Sequence, residues 1–174
     1  RQALIPIVFL TAWGDIPTTV RAMKAGEIDA AIIELDAADP PKRLPAEMIE
    51  VPLLDEPWRL VVPAGTLLSD VTELGRVPLP WLGVETSAAT THATTRLRRA
   101  IGMNQPAVHR YFSTQTALAL VAAGEGMALI PMLALHGMPQ HGVEILDVSG
   151  LGTRRIVLRS YSRGKQANNL TEAV

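Results

Sequence analysis

One pattern occurs three times along the 174 residues and restricts the possible folds more than any other feature. Each copy is an apolar, β-prone run, a short polar turn, a segment with apolar residues at helical spacing, and a closing glycine. Strands that alternate with helices in this way predict an α/β fold built in layers. The copies are a strand at 7–11 with a helix at 16–25 before Gly26, a strand at 81–84 with a helix at 90–101 before Gly102, and a strand at 108–112 with a helix at 114–123 before Gly124.

Further strands are predicted without helices. Residues 30–35 form an apolar run interrupted only by Glu34, which is typical of a strand buried on both faces. A turn is predicted at Asp55-Glu56-Pro57, between strands at 47–54 and 58–62. The last predicted elements are strands at 127–130, 143–148 and 154–161, a brief helix after Pro131, and the beginning of a helix at 168–174.

Composition narrows the class of protein. Hydrophobic residues make up 48% of the chain and mean hydropathy is +0.19, enough for a packed core. The net charge is −1, so no overall field attracts nucleic acid or an anionic membrane. The chain has no cysteine, no apolar run long enough to span a bilayer and no signal-peptide pattern at its start. We therefore expect a cytoplasmic protein, recombinantly expressed if it is engineered.

The beginning of the chain carries a first resemblance. The segment Pro6-Ile-Val-Phe-Leu-Thr-Ala-Trp-Gly-Asp15, with Ala22-Met-Lys-Ala-Gly26 at the end of the following helix, resembles the fourth strand and helix of a response-regulator receiver, a flavodoxin-like fold. That resemblance makes Thr11 the counterpart of the Thr or Ser that ends a receiver's fourth strand. Asp15 lies just before a helix and is interpreted as its cap. The acidic pair, the phosphoacceptor and the lysine of a receiver have no counterparts. Because phosphotransfer to aspartate needs Mg²⁺ on clustered carboxylates, we expect no phosphorelay, metal or cofactor.

The remainder carries a second resemblance. Three segments, Gly26-Glu-Ile-Asp-Ala-Ala-Ile-Ile33, 52–65 and 117–131, resemble the effector-binding domain of LysR-type transcription regulators, relatives of the type II periplasmic binding proteins. This resemblance implies two α/β lobes joined by crossing strands at 58–63 and 153–158. Lobe 1 is then 1–61 plus 155–174, and lobe 2 is 62–154. The strand-helix unit that opens such a domain and the DNA-binding helix-turn-helix are not found before the receiver-like segment.

Together the resemblances suggest an engineered chimera. A flavodoxin-like strand-helix unit is grafted into lobe 1 of a two-lobe, periplasmic-binding-protein-like scaffold, which has no enzymatic activity and at most residual small-molecule binding. The alternative is an effector-sensing domain that binds a small carboxylate between its lobes. The graft predicts that Ile7, Phe9, Val20 and Met23 are buried against the strand at 30–33. We expect a monomer or homodimer without direct DNA contact or membrane association, with a small organic acid as its partner.

Candidate ligand-binding residues lie where strands lead into helices. Backbone N–H groups and the helix dipole favour an anion at such turns, and hydroxyl groups add donors. In the LysR resemblance, the corresponding turns of both lobes face the cleft. Ordinary helix capping by the same residue types is the alternative. The candidates are Thr11, Trp13, Thr86, Ser87, Thr90, Ser113 and Thr114.

Other polar and aromatic residues favour structural roles. The basic group Arg96, Arg98 and Arg99 is interpreted as a solvated helix face and not as a phosphate site, since no aromatic residues accompany it. Trp58 and Trp81 are predicted to pack in the core or at the hinge. The scattered histidines 92, 109, 136 and 141 predict no metal site, and no Gly-x-Ser-x-Gly motif occurs, so no catalytic residue is expected.

Overall fold

The structure is a computed structural model that describes residues 7–11, 16–68, 70–85, 87–103 and 107–161, without the side chains of Thr11 and of residues 16–19. Two 3-10 helices, Val71–Arg76 and Met132–Leu135, accompany the regular elements. The strands and α-helices, in chain order, are β1 (Val8–Thr11), α1 (Ile16–Ala25), β2 (Ala30–Asp36), β3 (Met48–Pro63), β4 (Gly83–Val84), α2 (Ala88–Ala100), β5 (Arg110–Tyr111), α3 (Thr114–Ala122), β6 (Ala128–Pro131), β7 (Val143–Leu146) and β8 (Thr153–Tyr161).

A mixed sheet of six strands organises the molecule. Five of them lie in the order β1-β2-β8-β3-β6, and β7 also pairs with β3. β1 and β2 are parallel, as the crossover through α1 requires, whereas β8 is antiparallel to both β2 and β3. β4 and β5 form a small parallel pair of their own, beside a bridge between Trp81 and Met127. The predicted α/β class is therefore confirmed.

β3 corrects the prediction of a turn at residues 55–57. The strand continues from Met48 to Pro63, and its first part pairs with β8 from Met48–Tyr161 to Pro57–Thr153. A register shift between Pro52 and Leu54 marks an irregularity. Before residue 58, β3 has β8 as its strand neighbour among the described residues, and edge positions of this kind are where proline is found in sheets.

Three hydrophobic clusters form the interior. The first lies beneath α1 and includes Met23, Ile33 and Val157. The second joins β3 to α2 and contains Trp58 and Leu60, and the third surrounds α3. Successive residues of β3 point to opposite faces, so Leu60 and Val62 enter the second cluster and Val61 enters the third. The predicted burial of Trp58 and Trp81 is confirmed.

The predicted packing of the first strand-helix unit is only half right. Val20 and Met23 pack with Ala31 and Ile33, as expected. Ile7 and Phe9 are 56% and 53% exposed, so their predicted burial is wrong. Within the described part of the chain β1 pairs with β2 alone, and α1 packs over β2 and β8 instead. An apolar sequence alone does not bury a strand when its crossover helix packs elsewhere on the sheet.

Helix ends agree closely with the sequence signals. Ser113 caps α3 as predicted, and Gly26, Gly102 and Gly124 follow their helices with φ angles of 77°, 71° and 80°. α2 begins two residues earlier than predicted, at Ala88, because Ser87 and not a later hydroxyl residue is its N-cap. The Asp15 cap and the helix predicted at 168–174 lie outside the described residues.

Candidate functional site

A cavity of about 250 Å³ lies where the beginnings of α2 and α3 approach β2 and β8. Both polar and apolar side chains line it. The position places hydroxyl caps, a carboxylate and a guanidinium around one space, which suits a small molecule with a polar end and an apolar body. The lining residues are Glu34, Val84, Ser87, Thr90, Tyr111, Phe112, Ser113, Thr114, Ile130, Pro131, Ala134 and Arg154.

Ser87 links helix α2 to strand β2. Its hydroxyl oxygen accepts hydrogen bonds from the backbone N–H of Thr90 at 3.2 Å and from the Thr90 hydroxyl at 3.0 Å. The same hydroxyl donates to the Glu34 carboxylate at 3.1 Å. The capping role that the sequence left as an alternative is therefore real, and the cap also carries a contact to a residue 53 positions away.

Glu34 reaches the cavity because β2 alternates its side chains between two faces. Ile33 enters the cluster beneath α1, whereas Glu34 and Asp36 point toward α2. The Glu34 side chain keeps 20% of its surface exposed and accepts a hydrogen bond from Arg154 Nη1 at 2.9 Å. The Glu34 carboxylate therefore lines the cavity while it accepts hydrogen bonds from Ser87 and Arg154.

Arg154 is shared between two carboxylates. Its Nε donates to Glu56 at 2.6 Å and its Nη2 donates to the same oxygen. The second Glu56 oxygen accepts the backbone N–H of Leu133 at 2.7 Å. Arg154 and Glu56 are both buried, so their mutual neutralisation satisfies the requirement that buried charges be paired. One cation facing Glu34 and Glu56 leaves the cluster with a formal charge of −1.

The opposite side of the cavity is formed by the start of α3. The Ser113 hydroxyl accepts the backbone N–H of Thr116 at 3.2 Å, and Thr114 opens the helix beside it. Phe112 comes just before and is 71% exposed although it lines the cavity. Burial raises the pKa of Tyr111, which donates to the Leu129 carbonyl at 3.4 Å and remains a neutral phenol.

A second polar contact between α2 and β2 corrects the interpretation of the arginines. Arg96 donates from Nε to Asp36 at 2.8 Å and from Nη2 to the Leu151 carbonyl at 2.8 Å. The Asp36 side chain is fully buried and also receives Trp58 Nε1 at 3.5 Å. Arg96 is therefore a structural ion-pair partner and not part of a solvated face. The prediction failed because the buried acid lies 60 residues away in sequence.

Four of the seven predicted site residues line the cavity together. These four are Ser87, Thr90, Ser113 and Thr114. Thr11 ends β1, but its side chain is not described, and Trp13 and Thr86 lie outside the described residues.

Sequence reasoning missed the charged members of the site. In the sequence Glu34 merely interrupts an apolar run, although a charge buried inside such a run requires a partner. Asp55-Glu56 was assigned to a turn, whereas both residues face Arg155 and Arg154 of β8 in register. Complementary pairs on two strands were the available signal, because charges directly opposite each other stabilise antiparallel pairs.

Two further cavities are of similar size. One, of about 250 Å³, lies between α2 and the β4–β5 pair and includes Arg98 and Arg110. The other, of about 260 Å³, lies beneath the proline-containing loop after β2. No predicted ligand residue in the described segments lines either of them, so the cavity with Glu34 is the candidate site.

Two of the histidines, His92 and His109, lie within hydrogen-bonding distance of a carboxylate. His92 Nδ1 lies 2.7 Å from Asp39, and His109 Nε2 lies 3.0 Å from Glu125. Within the described residues, no three His, Asp or Glu side chains gather as a metal ion would need. None of the helices in the same part of the chain combines the length and apolar character needed to cross a membrane.

Comparison with known protein families identifies the class. A family model for the LysR substrate binding domain matches residues 12–174. The chain therefore belongs to the LysR substrate-binding domain family. The match continues through residue 26, where the sequence had suggested a junction, and the receiver resemblance finds no support. A search of curated proteins found no match.

Solved structures agree on the fold. Corynebacterium glutamicum OxyR, as a C206S mutant bound to H2O2, is 24% identical with a TM-score of 0.70, covering 90% of this chain and 50% of that one. The reduced OxyR regulatory domain of Pseudomonas aeruginosa is 18% identical with a TM-score of 0.68, covering 95% and 93%. The CcmR regulatory domain of Synechocystis PCC6803, in complex with 2-PG, is 15% identical with a TM-score of 0.67, covering 97% and 94%.

These structural comparisons support the periplasmic-binding-protein-like α/β architecture and, at such identities, the fold alone. The chain spans 50% and 63% of the two Corynebacterium glutamicum OxyR chains. It covers nearly the whole of the isolated regulatory domains of the other two proteins.

Proposed function

We propose that this chain is the effector-sensing domain of a LysR-type transcription regulator and that it binds a small organic molecule in the cavity between α2, α3 and β2. The observation that carries the proposal is the convergence of Ser87, Thr90, Ser113 and Thr114 with Glu34 and Arg154 around one cavity in a chain of this family. Such a cavity, apolar with a few convergent polar groups, is the usual form of a small-molecule site.

The ligand we propose is a small organic acid. Its carboxylate would lie at the start of α3, where backbone N–H groups and the helix dipole favour an anion. Its apolar body would rest on Phe112, Ile130 and Ala134. The family relative CcmR, solved with 2-PG, is consistent with a regulatory domain of this fold holding a small molecule.

The two-lobe division is part of the same proposal. Lobe 1, at 1–61 plus 155–174, contains the whole cluster beneath α1, and lobe 2, at 62–154, contains most of the other two clusters. Trp58 and Leu60 precede the proposed boundary but pack in the second cluster. The domain would act by binding and not by catalysis, as a cytoplasmic monomer or homodimer that leaves DNA contact to another part of its regulator.

The family match and the fold can be explained without the chimera hypothesis. A single family model accounts for residues on both sides of position 26, and the parallel β1-α1-β2 crossover is an ordinary part of the sheet. The sensor alternative is therefore the one we adopt.

A thermal-shift screen with small organic acids tests the proposal. A ligand at about 100 times its dissociation constant stabilises the native state by about 2.7 kcal/mol, which corresponds to about 5–11 °C for a domain of this size. Phe112→Ala should abolish the shift because Phe112 lines the cavity, whereas Leu67→Ala should retain it because Leu67 is exposed elsewhere. A screen in which no acid raises the melting temperature of the wild type would refute the proposal.

A further inference from the structure

We infer that Glu34 sets the ligand selectivity of this cavity by requiring a hydrogen-bond donor, a hydroxyl or amino group, on the bound organic acid. This inference rests on the proposed function. It assigns the ligand to the hydroxy acids and amino acids and excludes simple carboxylic acids as preferred ligands.

The charge of the cavity wall supports the inference. Arg154 donates to both Glu34 and Glu56, and Glu56 is also held by the Leu133 N–H. One guanidinium therefore serves two carboxylates, and the cluster keeps a formal charge of −1. A ligand carboxylate placed beside Glu34 would add a second unneutralised negative charge to a partly buried site, where like charges repel strongly.

The hydrogen bonds of Ser87 also support the inference. A serine hydroxyl has one donor and two acceptor positions. Ser87 gives its donor to Glu34 and uses its acceptors for the N–H and hydroxyl of Thr90. Ser87 thus has no proton left for a ligand carboxylate, although its position at a helix N-terminus suggests an anion site. The group presented to the ligand at this end is the Glu34 carboxylate, which only accepts.

The two ends of the cavity therefore require opposite chemistry. Glu34, on β2, requires a donor, while the start of α3 at Ser113 and Thr114 suits the acid group of the proposed ligand. Between them, Phe112 and Ile130 provide an apolar surface. A small α-hydroxy or α-amino acid with an apolar side chain meets all three conditions. The corresponding unsubstituted acid offers Glu34 no donor beyond Ser87 and Arg154, which it already has.

Isothermal titration calorimetry with three matched probes tests this selectivity. Phenylacetate carries the acid alone, mandelate adds a hydroxyl group, and phenylglycine adds an ammonium group. A hydrogen bond to a charged group changes affinity by about tenfold or more, so mandelate and phenylglycine should bind the wild type at least about tenfold more tightly than phenylacetate. In Glu34→Gln this gap should close, because the negative charge that rejects simple acids is gone.

Two control variants separate selectivity from general disturbance. Glu34→Asp keeps the charge and should retain part of the gap between probes. Glu47→Gln makes the same chemical change at an exposed residue just before β3 and should leave the gap unchanged. Because the readout is a ratio between ligands on one variant, a uniform loss of stability does not imitate the expected result.

The outcomes distinguish this inference from the proposed function. If phenylacetate binds the wild type as tightly as mandelate and phenylglycine, the role of Glu34 is refuted while the sensor function stands. The same holds if Glu34→Gln preserves the gap. If neither these probes nor any acid of the wider screen binds the wild type, both the sensor function and the role of Glu34 are refuted.

Discussion

Replacing Arg96 with methionine tests the ion pair between Arg96 of α2 and Asp36 of β2. The change keeps an apolar side chain of similar length and removes the guanidinium that faces Asp36 at 2.8 Å. Asp36 is fully buried, so its charge then lacks a cationic partner, and the Leu151 carbonyl loses a donor.

The magnitude follows from burial. Removing one partner of a buried ion pair costs about 3–5 kcal/mol, because the remaining charge is uncompensated. Arg96 is 30% exposed, and Asp36 still accepts a hydrogen bond from the Trp58 indole N–H at 3.5 Å. The expected loss is therefore at the lower end of this range. We expect a loss of about 3 kcal/mol, equivalent to a melting temperature about 6–12 °C lower for a domain of this size.

Urea unfolding followed by tryptophan fluorescence and far-UV circular dichroism measures this loss, provided that the two signals change together. The double variant Asp36→Asn with Arg96→Met should recover part of the stability, since it removes the uncompensated charge. Arg98→Met, on the same helix, is the matched control. A loss for Arg96→Met no larger than that for Arg98→Met would refute the reasoning that this ion pair stabilises the fold.

Three further predictions concern the core, a close backbone approach and pH. Leu60→Ala should lower the free energy of unfolding by about 2–5 kcal/mol, because the side chain is fully buried, and a loss below about 1 kcal/mol in urea unfolding would contradict that. Gly126→Ala would place its Cβ 2.5 Å from the Pro80 carbonyl oxygen, so the melting temperature should fall markedly, whereas the same change at the open position Gly137 should perturb only the backbone conformation. Hydrogen bonds from Ser149 and Thr72 lower the pKa of Asp70 from its ordinary value of 3.8 to about 2. Its contribution is therefore complete above pH 3.8 and is lost as the pH falls toward 2, so the stability difference between wild type and Asp70→Ala should shrink over that range in thermal melts at matched salt.

The sequence predicted the repeating strand-helix units well because their signals are local. Helix α1 was placed without error, between a proline in its first turn and Gly26. The hydroxyl residues Ser87 and Ser113 were recognised as possible caps and possible ligand residues, and the structure brings both to one cavity. Properties that depend on neighbouring residues in sequence were therefore predictable.

Features that depend on pairing between residues far apart in sequence could not be predicted. Asp55-Glu56-Pro57 reads as a turn by composition, and only its pairing with residues 153–155 of β8 makes it a strand. The exposure of Ile7 and Phe9 likewise depends on which strands α1 covers. Glu34 and Arg154 meet across 120 positions, so neither appeared as a member of the site.

The length of β3 has a mechanical consequence. One continuous strand contributes Met48 to the cluster beneath α1 and Leu60 to the cluster beside α2, and β8 is hydrogen-bonded along its first part. In the proposed two-lobe division, relative rotation of the lobes would wind or unwind the two-stranded ribbon formed by β3 and β8. Such a ribbon would resist torsion, so we expect the proposed closure around a ligand to be limited to small angles and to be transmitted directly from one lobe to the other.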